Sequence, residues 1–152
     1  MSLDVYAKID DRKILEGKQY GTSYYYWSRD ERETIQYLTD TVLWINITHN
    51  LGDMASHVPI EFYDDCGNYY KTDLYHIMWR PEEVFVNKEN IKLADVREPI
   101  EIGLKYVLSN EEELSKYNPE NGWGHYDNFV YCLPEYIRAC YKYPNATITI
   151  SR

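Results

Sequence analysis

The run Thr41-Val42-Leu43-Trp44-Ile45-Asn46-Ile47-Thr48 passes directly into His49-Asn50-Leu51-Gly52-Asp53-Met54-Ala55-Ser56-His57-Val58, and the change of period between the two decides the fold. The first stretch is β-branched and aromatic and reads as the strongest strand in the chain. In the second, Leu51, Met54, Ala55 and Val58 fall at helical spacing, and Thr48 occupies the position of an N-cap. A strand therefore feeds a helix.

Upstream, residues 3–9, LDVYAKI, alternate apolar and polar side chains and then meet Asp10-Asp11, a strand running into a turn. Gly17 and Gly21 punctuate the next stretch, Thr22–Ser28 is rich in strand formers, and Ser28 to Asp30 would cap a short helix over residues 31–40. Downstream, Pro59 to His76 changes character. Asp64-Asp65-Cys66-Gly67-Asn68 is a turn cluster between two aromatic runs, which predicts a hairpin inserted at 60–76.

Trp79-Arg80-Pro81-Glu82-Glu83 starts a short helix with proline at its first position and two acids in its first turn. Glu98-Pro99 predicts a second such start, with Ile100, Leu104, Val107 and Leu108 as its stripe. A capping box at Ser109/Glu112 or Asn110/Glu113 then opens another short helix. Residues 118–126, NPENGWGHY, form the clearest loop. Beyond it Phe129, Leu133, Ile137 and Cys140 repeat near helical period in a helix that reaches Tyr143 and is expected to bend at Pro134. Ala146 to Ser151 closes the chain as a strand beside residues 3–9 or 41–48. The fold class is α+β: a small, mainly antiparallel sheet with helices packed on one face and a β-hairpin insertion, in a single domain over residues 1–152.

Composition narrows the function classes. The chain has 152 residues and a formal charge of −9, the wrong sign for gripping phosphate backbones, so direct nucleic-acid binding is set aside. Hydrophobic residues at 44% and charged residues at 27% are the values of a folding chain. No apolar run approaches the roughly 20 residues of a membrane span. The N-terminus lacks the order of a signal peptide, so the expectation is a cytoplasmic protein with no membrane contact. Two asparagine sequons, at Asn46 and Asn145, are then chance. Three cysteines make no disulfide framework, and Cys132 and Cys140 would stand about 12 Å apart on one helix. The anomaly is seventeen tyrosines, a residue suited equally to strand faces and to contact surfaces. Four consecutive aromatics, Tyr24 to Trp27, must send alternate members to opposite faces of a strand. A compact acidic, tyrosine-rich protein also suits DNA mimicry, although the acids here are scattered.

The common catalytic signatures are absent. His49, Asp53 and His57 share a helical stripe, but the outer pair would lie about 12 Å apart, too far for one ion, so no metal and no cofactor are expected. Carboxylates beside Cys66 argue against a reactive thiol. One constellation does suit a small anionic or nucleotide-like ligand: Asn46, Thr48, His49 and Asn50 at the strand-to-helix junction, Trp79 and Arg80, and Asn121, Trp123 and Tyr126 in the loop. The junction would offer free N–H donors, Arg80 a planar fork and Trp123 a stacking surface, with Gly122 and Gly124 letting backbone approach the ligand. The competing reading makes Thr48 and His49 ordinary helix-end residues and both tryptophans core padding.

The segments MSLDVY, NITHNLGDMA, WRPEE, NPENGWGHY and ACYKYPNATITISR together resemble the landmarks of a family of small uncharacterised proteins of bacteria and their phages. The similarity covers the first six residues and much of 46–152. It marks residues 10–40 and 58–76 as elaborations. What the resemblance implies is a phage or prophage setting, in which small proteins bind and disable host factors or their signalling molecules. The favoured expectation is a non-enzymatic binding protein acting on a host protein or small anionic ligand, with host-defence antagonism and self-association admitted. The alternative is a small enzyme acting on nucleotides or metabolites through His49 and Arg80.

Overall fold

The computed structural model describes residues 2–9 and 41–152, together with the backbone of strands 23–28 and 33–38. In chain order the strands are β1 (Ser2–Lys8), β2 (Ser23–Ser28), β3 (Glu33–Leu38), β4 (Thr41–Thr48), β5 (Pro59–Tyr63), β6 (Tyr69–Asp73) and β7 (Thr147–Ser151). The helices are α1 (Gly52–Ser56), α2 (Leu74–Trp79), α3 (Pro81–Val84), α4 (Leu93–Ser109), α5 (Glu111–Ser115) and α6 (Asp127–Lys142), with a single 3₁₀ turn at His49–Leu51 before α1.

The main sheet has the order β4-β1-β7, antiparallel throughout, so the N-terminal strand is the central one. Its register places Val5 between Ile45 and Ile150, and Tyr6 between Trp44 and Thr149. Alternation then sorts the side chains: Leu3, Val5, Ala7, Leu43, Ile45 and Ile47 are buried on one face. That face is covered by α4 and α6, whose Ile100, Phe129 and Leu133 belong to the same hydrophobic cluster. The closing strand pairs with β1, one of the two neighbours the sequence allowed, and lies at the edge opposite β4.

The inserted hairpin is β5–β6, with Glu61 opposite Lys71. Asp64 builds its turn by accepting the Cys66 and Asn68 backbone N–H groups at 3.0 and 2.8 Å, and Gly67 supplies the positive φ of 83°. The hairpin is part of the core, because Ile60 and Phe62, with Leu74 just beyond its end, join the same hydrophobic cluster as Val5, Ile100 and Phe129. The contact is close at Gly103 in α4, where an added Cβ would stand 3.1 Å from Leu74 and 3.4 Å from Ile60.

Four local expectations need correction. Residues 33–38 form β3 in place of the helix expected over 31–40, paired to β2 with Tyr24 opposite Tyr37 and Tyr26 opposite Ile35. Thr34, Ile35 and Tyr37 favour strand, and so short a helix has little stability of its own. The turn expected at Asp10-Asp11 and the breaks at Gly17 and Gly21 lie outside the described residues. Second, the hairpin ends at Asp73, whose carboxylate accepts the His76 N–H at 2.9 Å and caps α2. Leu74 to His76 are therefore helical.

Third, Pro99 lies within α4, which begins six residues earlier at Leu93. An interior proline costs roughly 3 kcal/mol, but Leu93 and Val96 are fully buried, and Asp95 accepts the Lys92 backbone N–H at 2.9 Å. The buried face of α4 runs through Leu93, Val96, Ile100, Gly103 and Val107, which leaves Leu108 exposed. Fourth, Asn110 does not form a capping box. Its side-chain amide donates back to the Tyr106 carbonyl at 2.9 Å, and α5 has no side-chain cap.

All three cysteines are free. Burial pushes the thiols of Cys132 and Cys140 up to about 12, which makes both poor nucleophiles at neutral pH. Among the described residues no helix is long and apolar enough to cross a membrane.

Candidate functional site

The strand-to-helix junction forms as its sequence predicts. Thr48 stays extended (φ −68°, ψ 140°) and its hydroxyl accepts the Asn50 N–H at 3.3 Å. The chain then turns through His49 into Leu51, which is fully buried. The His49 ring reaches the start of the WRPEE motif, where Nδ1 accepts the Trp79 indole N–H at 3.0 Å. A neutral His49 consequently carries its proton on Nε2, and that atom is buried without a hydrogen-bond partner among the described residues.

Trp79 is a core residue, 1% exposed, stacked on Tyr75 with ring centroids 5.5 Å apart. The Tyr75 side chain beside Arg80, with Glu82 and Glu83 nearby, raises the guanidinium pKa further. The C-terminal Arg152 adds to the same corner by donating to the Trp79 carbonyl at 2.9 Å and to Glu82 at 2.5 Å.

The loop at 121–126 does meet the junction, but without leaving room for a ligand between them. Gly124 has φ 113°, and a Cβ there would stand 2.6 Å from the Thr48 methyl and 2.9 Å from Leu51 Cγ. The backbone approach that Gly124 permits is thus made to protein. Asn121 accepts the Trp123 N–H at 2.9 Å within the loop, and Asn118 accepts the Tyr126 N–H at 2.9 Å. Tyr126 is buried, with its hydroxyl donating to the Val107 carbonyl at 2.5 Å. Trp123 is 71% exposed, neither a core residue nor part of an enclosed site.

Of the nine candidate residues, Thr48, His49, Trp79 and Tyr126 are engaged in the scaffold. Asn50 and Trp123 are exposed. Asn46 points to the opposite face of the sheet, where its amide donates to Ser2 at 3.1 Å and to Asp4 at 2.6 Å. Among the described residues, grooves with volumes between 210 and 390 Å³ mark the surface, and none of the nine lines these. The His49, Asp53, His57 stripe is divided as well. His57 Nδ1 lies 2.8 Å from the Asp53 carbonyl and its ring stacks on Tyr117 at 4.0 Å, while His49 turns toward Trp79. Among the described residues no cluster of three or more His, Cys, Asp or Glu could hold a metal ion.

The feature that motif reading missed is the outer face of the main sheet. Tyr6 and Trp44 are register partners with rings parallel to within 4° and centroids 6.3 Å apart, and Trp44 is 61% exposed. Asp4 sits beside them and accepts the Asn46 amide at 2.6 Å and the Trp44 indole N–H at 3.1 Å. These two bonds, the Asn46 one larger, hold the Asp4 carboxyl below its usual range. The signal was present in the alternation itself: Asp4, Tyr6, Trp44 and Asn46 are the even-numbered members of two strands whose odd-numbered members are the core. No family model matches the chain, and comparison with curated proteins and with solved structures found no match either.

Proposed function

We propose that this chain is a non-enzymatic binding protein that meets another protein on the outer face of its main sheet. The observation that carries the reading is the parallel Tyr6–Trp44 pair, held by Asp4 and Asn46 on a face whose largest side chain is 61% exposed. A tryptophan fixed in position by its indole N–H loses little conformational freedom on association, and aromatic residues of this kind anchor protein interfaces. In the phage or prophage setting that the sequence resemblance implies, the partner would be a bacterial host factor, and its capture would be the means of antagonism.

The small-ligand and enzyme readings draw less support. Both need His49, Arg80 and the loop around one opening, whereas His49 is bonded to Trp79, Arg80 lines none of the grooves, and Gly124 is packed on Thr48.

A photo-crosslinking amino acid placed at Thr149, the exposed register partner of Tyr6 on the same face, compared with the same probe at Tyr141 on α6, tests the proposal in bacterial cells with Tyr6 and Trp44 intact. Position 149 should capture one discrete protein, and position 141 should not. Equal capture at both positions, or none at 149, would remove the outer face as the binding surface.

A further inference from the structure

We infer that the edge of β4 from Leu43 to Ile47 is a strand-addition site for an extended, acidic segment of the partner polypeptide. This inference rests on the outer-face reading and names how the partner engages.

The two edges of the sheet differ. The β7 edge is covered over its first two residues, where Lys92 bridges Thr147 and the Ile148 N–H donates to the Ile91 carbonyl at 2.8 Å. Along β4, from Val42 to Ile47, no described residue outside β1 hydrogen-bonds the backbone. Unpaired edge groups of this kind template pairing with another chain, and proteins usually blunt them with charges, prolines or bulges. The eight residues of β4 contain no charged residue and no proline, and the one irregularity is a bulge at Val42 near its start, where Ala7 pairs with Leu43 and Lys8 with Thr41, which leaves Leu43 to Ile47 regular.

Beside this edge runs α6, and between the two lies a groove of about 370 Å³ with Val42, Leu43 and Trp44 on one wall and Arg138, Ala139 and Lys142 on the other. A free strand edge facing a helix across a groove is the geometry in which an extended peptide adds a strand, with the main chain supplying affinity and the groove selecting side chains. Every pairing in the described sheets is antiparallel, and the added strand continues that ladder.

The groove also sets the charge of its occupant. Arg138 and Lys142 stand one helical turn apart on the wall, and among the described residues neither is in an ion pair. Glu135 is the one acid in the lining, so the wall is net positive on a chain of net charge −9. An alternating segment with acids on its α6-facing side pairs with those cations, while its other side lies along Trp44 and extends the aromatic face.

The probe is a seven-residue capped peptide alternating valine and aspartate, with lysine in place of aspartate as the control, read by fluorescence anisotropy on the full chain. The acidic peptide should bind at least about fivefold more tightly than the basic one, the scale of two exposed ion pairs. The Arg138→Glu/Lys142→Glu variant should reverse that preference, and the acidic peptide should slow hydrogen exchange between Val42 and Ile47. Equal binding of both peptides, binding of neither, or a preference unchanged by the variant would overturn the inference. So would two other occupants: β4-edge amides already protected in the free monomer, meaning residues of the chain itself cover the edge, or a sedimentation mass showing two copies joined there. If crosslinking at position 149 succeeds while the peptides fail, the binding face stands and strand addition alone falls.

Discussion

Gly124 shows how much a single position decides. Its φ of 113° and the 2.6 Å between a notional Cβ and the Thr48 methyl mean that alanine there must strain the backbone and displace the junction. Gly124→Ala should cost about 1–3 kcal/mol, the range for overpacking a tight contact. Gly122→Ala has only its own positive φ of 74° to overcome, since nothing lies near its Cβ, and should cost less. Urea denaturation of the two variants checks this, and equal losses would mean that the Gly124 contact is not tight. Tyr126→Phe removes one hydroxyl bonded to the Val107 carbonyl and should cost about 0.5–1.5 kcal/mol by the same measurement. At Asp4 the expectation concerns pH. Its folded pKa lies below the ordinary 3.8, so its stabilising contribution is complete above that value and is lost as pH falls through the lower folded pKa. Asn46→Ala, which removes the larger of its two principal hydrogen bonds, should move the Asp4 titration, followed by carboxyl NMR, upward toward 3.8.

Between elements, stretches far apart in sequence fasten one another. His49 of NITHNL accepts the indole of Trp79 in WRPEE, Arg152 ties the Trp79 carbonyl and Glu82 to the chain end, and Gly124 of NGWG packs on Thr48 and Leu51. Motif residues that read as a ligand constellation thus form a clasp joining β4, α2, α3, β7 and the 118–126 loop. Its terminal member is integral to the sheet, because β7 pairs with the central strand from Asp4–Ser151 to Lys8–Thr147 and its neighbour Ala146 is buried. Deletion of residues 146–152 should abolish cooperative thermal unfolding, and a truncated chain that kept a normal melting transition would contradict this pairing. Arg152→Ala, which keeps the strand, should lower stability by about 1 kcal/mol, since the Glu82 contact is half-exposed and screened.

At the scale of the molecule, the helices cover one face of the sheet and, among the described residues, no element covers the aromatic outer face, so structure and proposed binding occupy opposite sides. The tryptophans sort by this division. Trp79→Ala should cost about 3–5 kcal/mol as the loss of a fully buried aromatic. Trp44→Ser and Trp123→Ala remove exposed rings and should stay within about 0.5 kcal/mol of the parent, apart from the indole bond from Trp44 to Asp4. Thermal melting separates the two groups directly. A large loss at Trp123 would place that ring in the core, contrary to its 71% exposure.

Much of the fold is written locally in the chain. The period of two in residues 3–8 and 41–48, the Asp64–Asn68 turn chemistry, the proline start at Pro81 and the helical period after Phe129 each depend on residues close in sequence. The bounds of β4 could therefore be read from 41–48 alone. Where distant partners outweighed local preference, the sequence by itself was silent. The burial of Leu93 and Val96 carried α4 through Pro99, and pairing with β2 made a strand of 33–38. The candidate site divided along the same line. Chemistry-bearing residues at 46–50, 79–80 and 121–126 were visible as types. Only tertiary structure decided that Gly124 meets Thr48 instead of a ligand, that Trp79 lies inside and Trp123 outside, and that Tyr6 and Trp44 form one surface. Type and spacing are properties of the chain, whereas which donor meets which acceptor across thirty or more residues is set by how the layers pack.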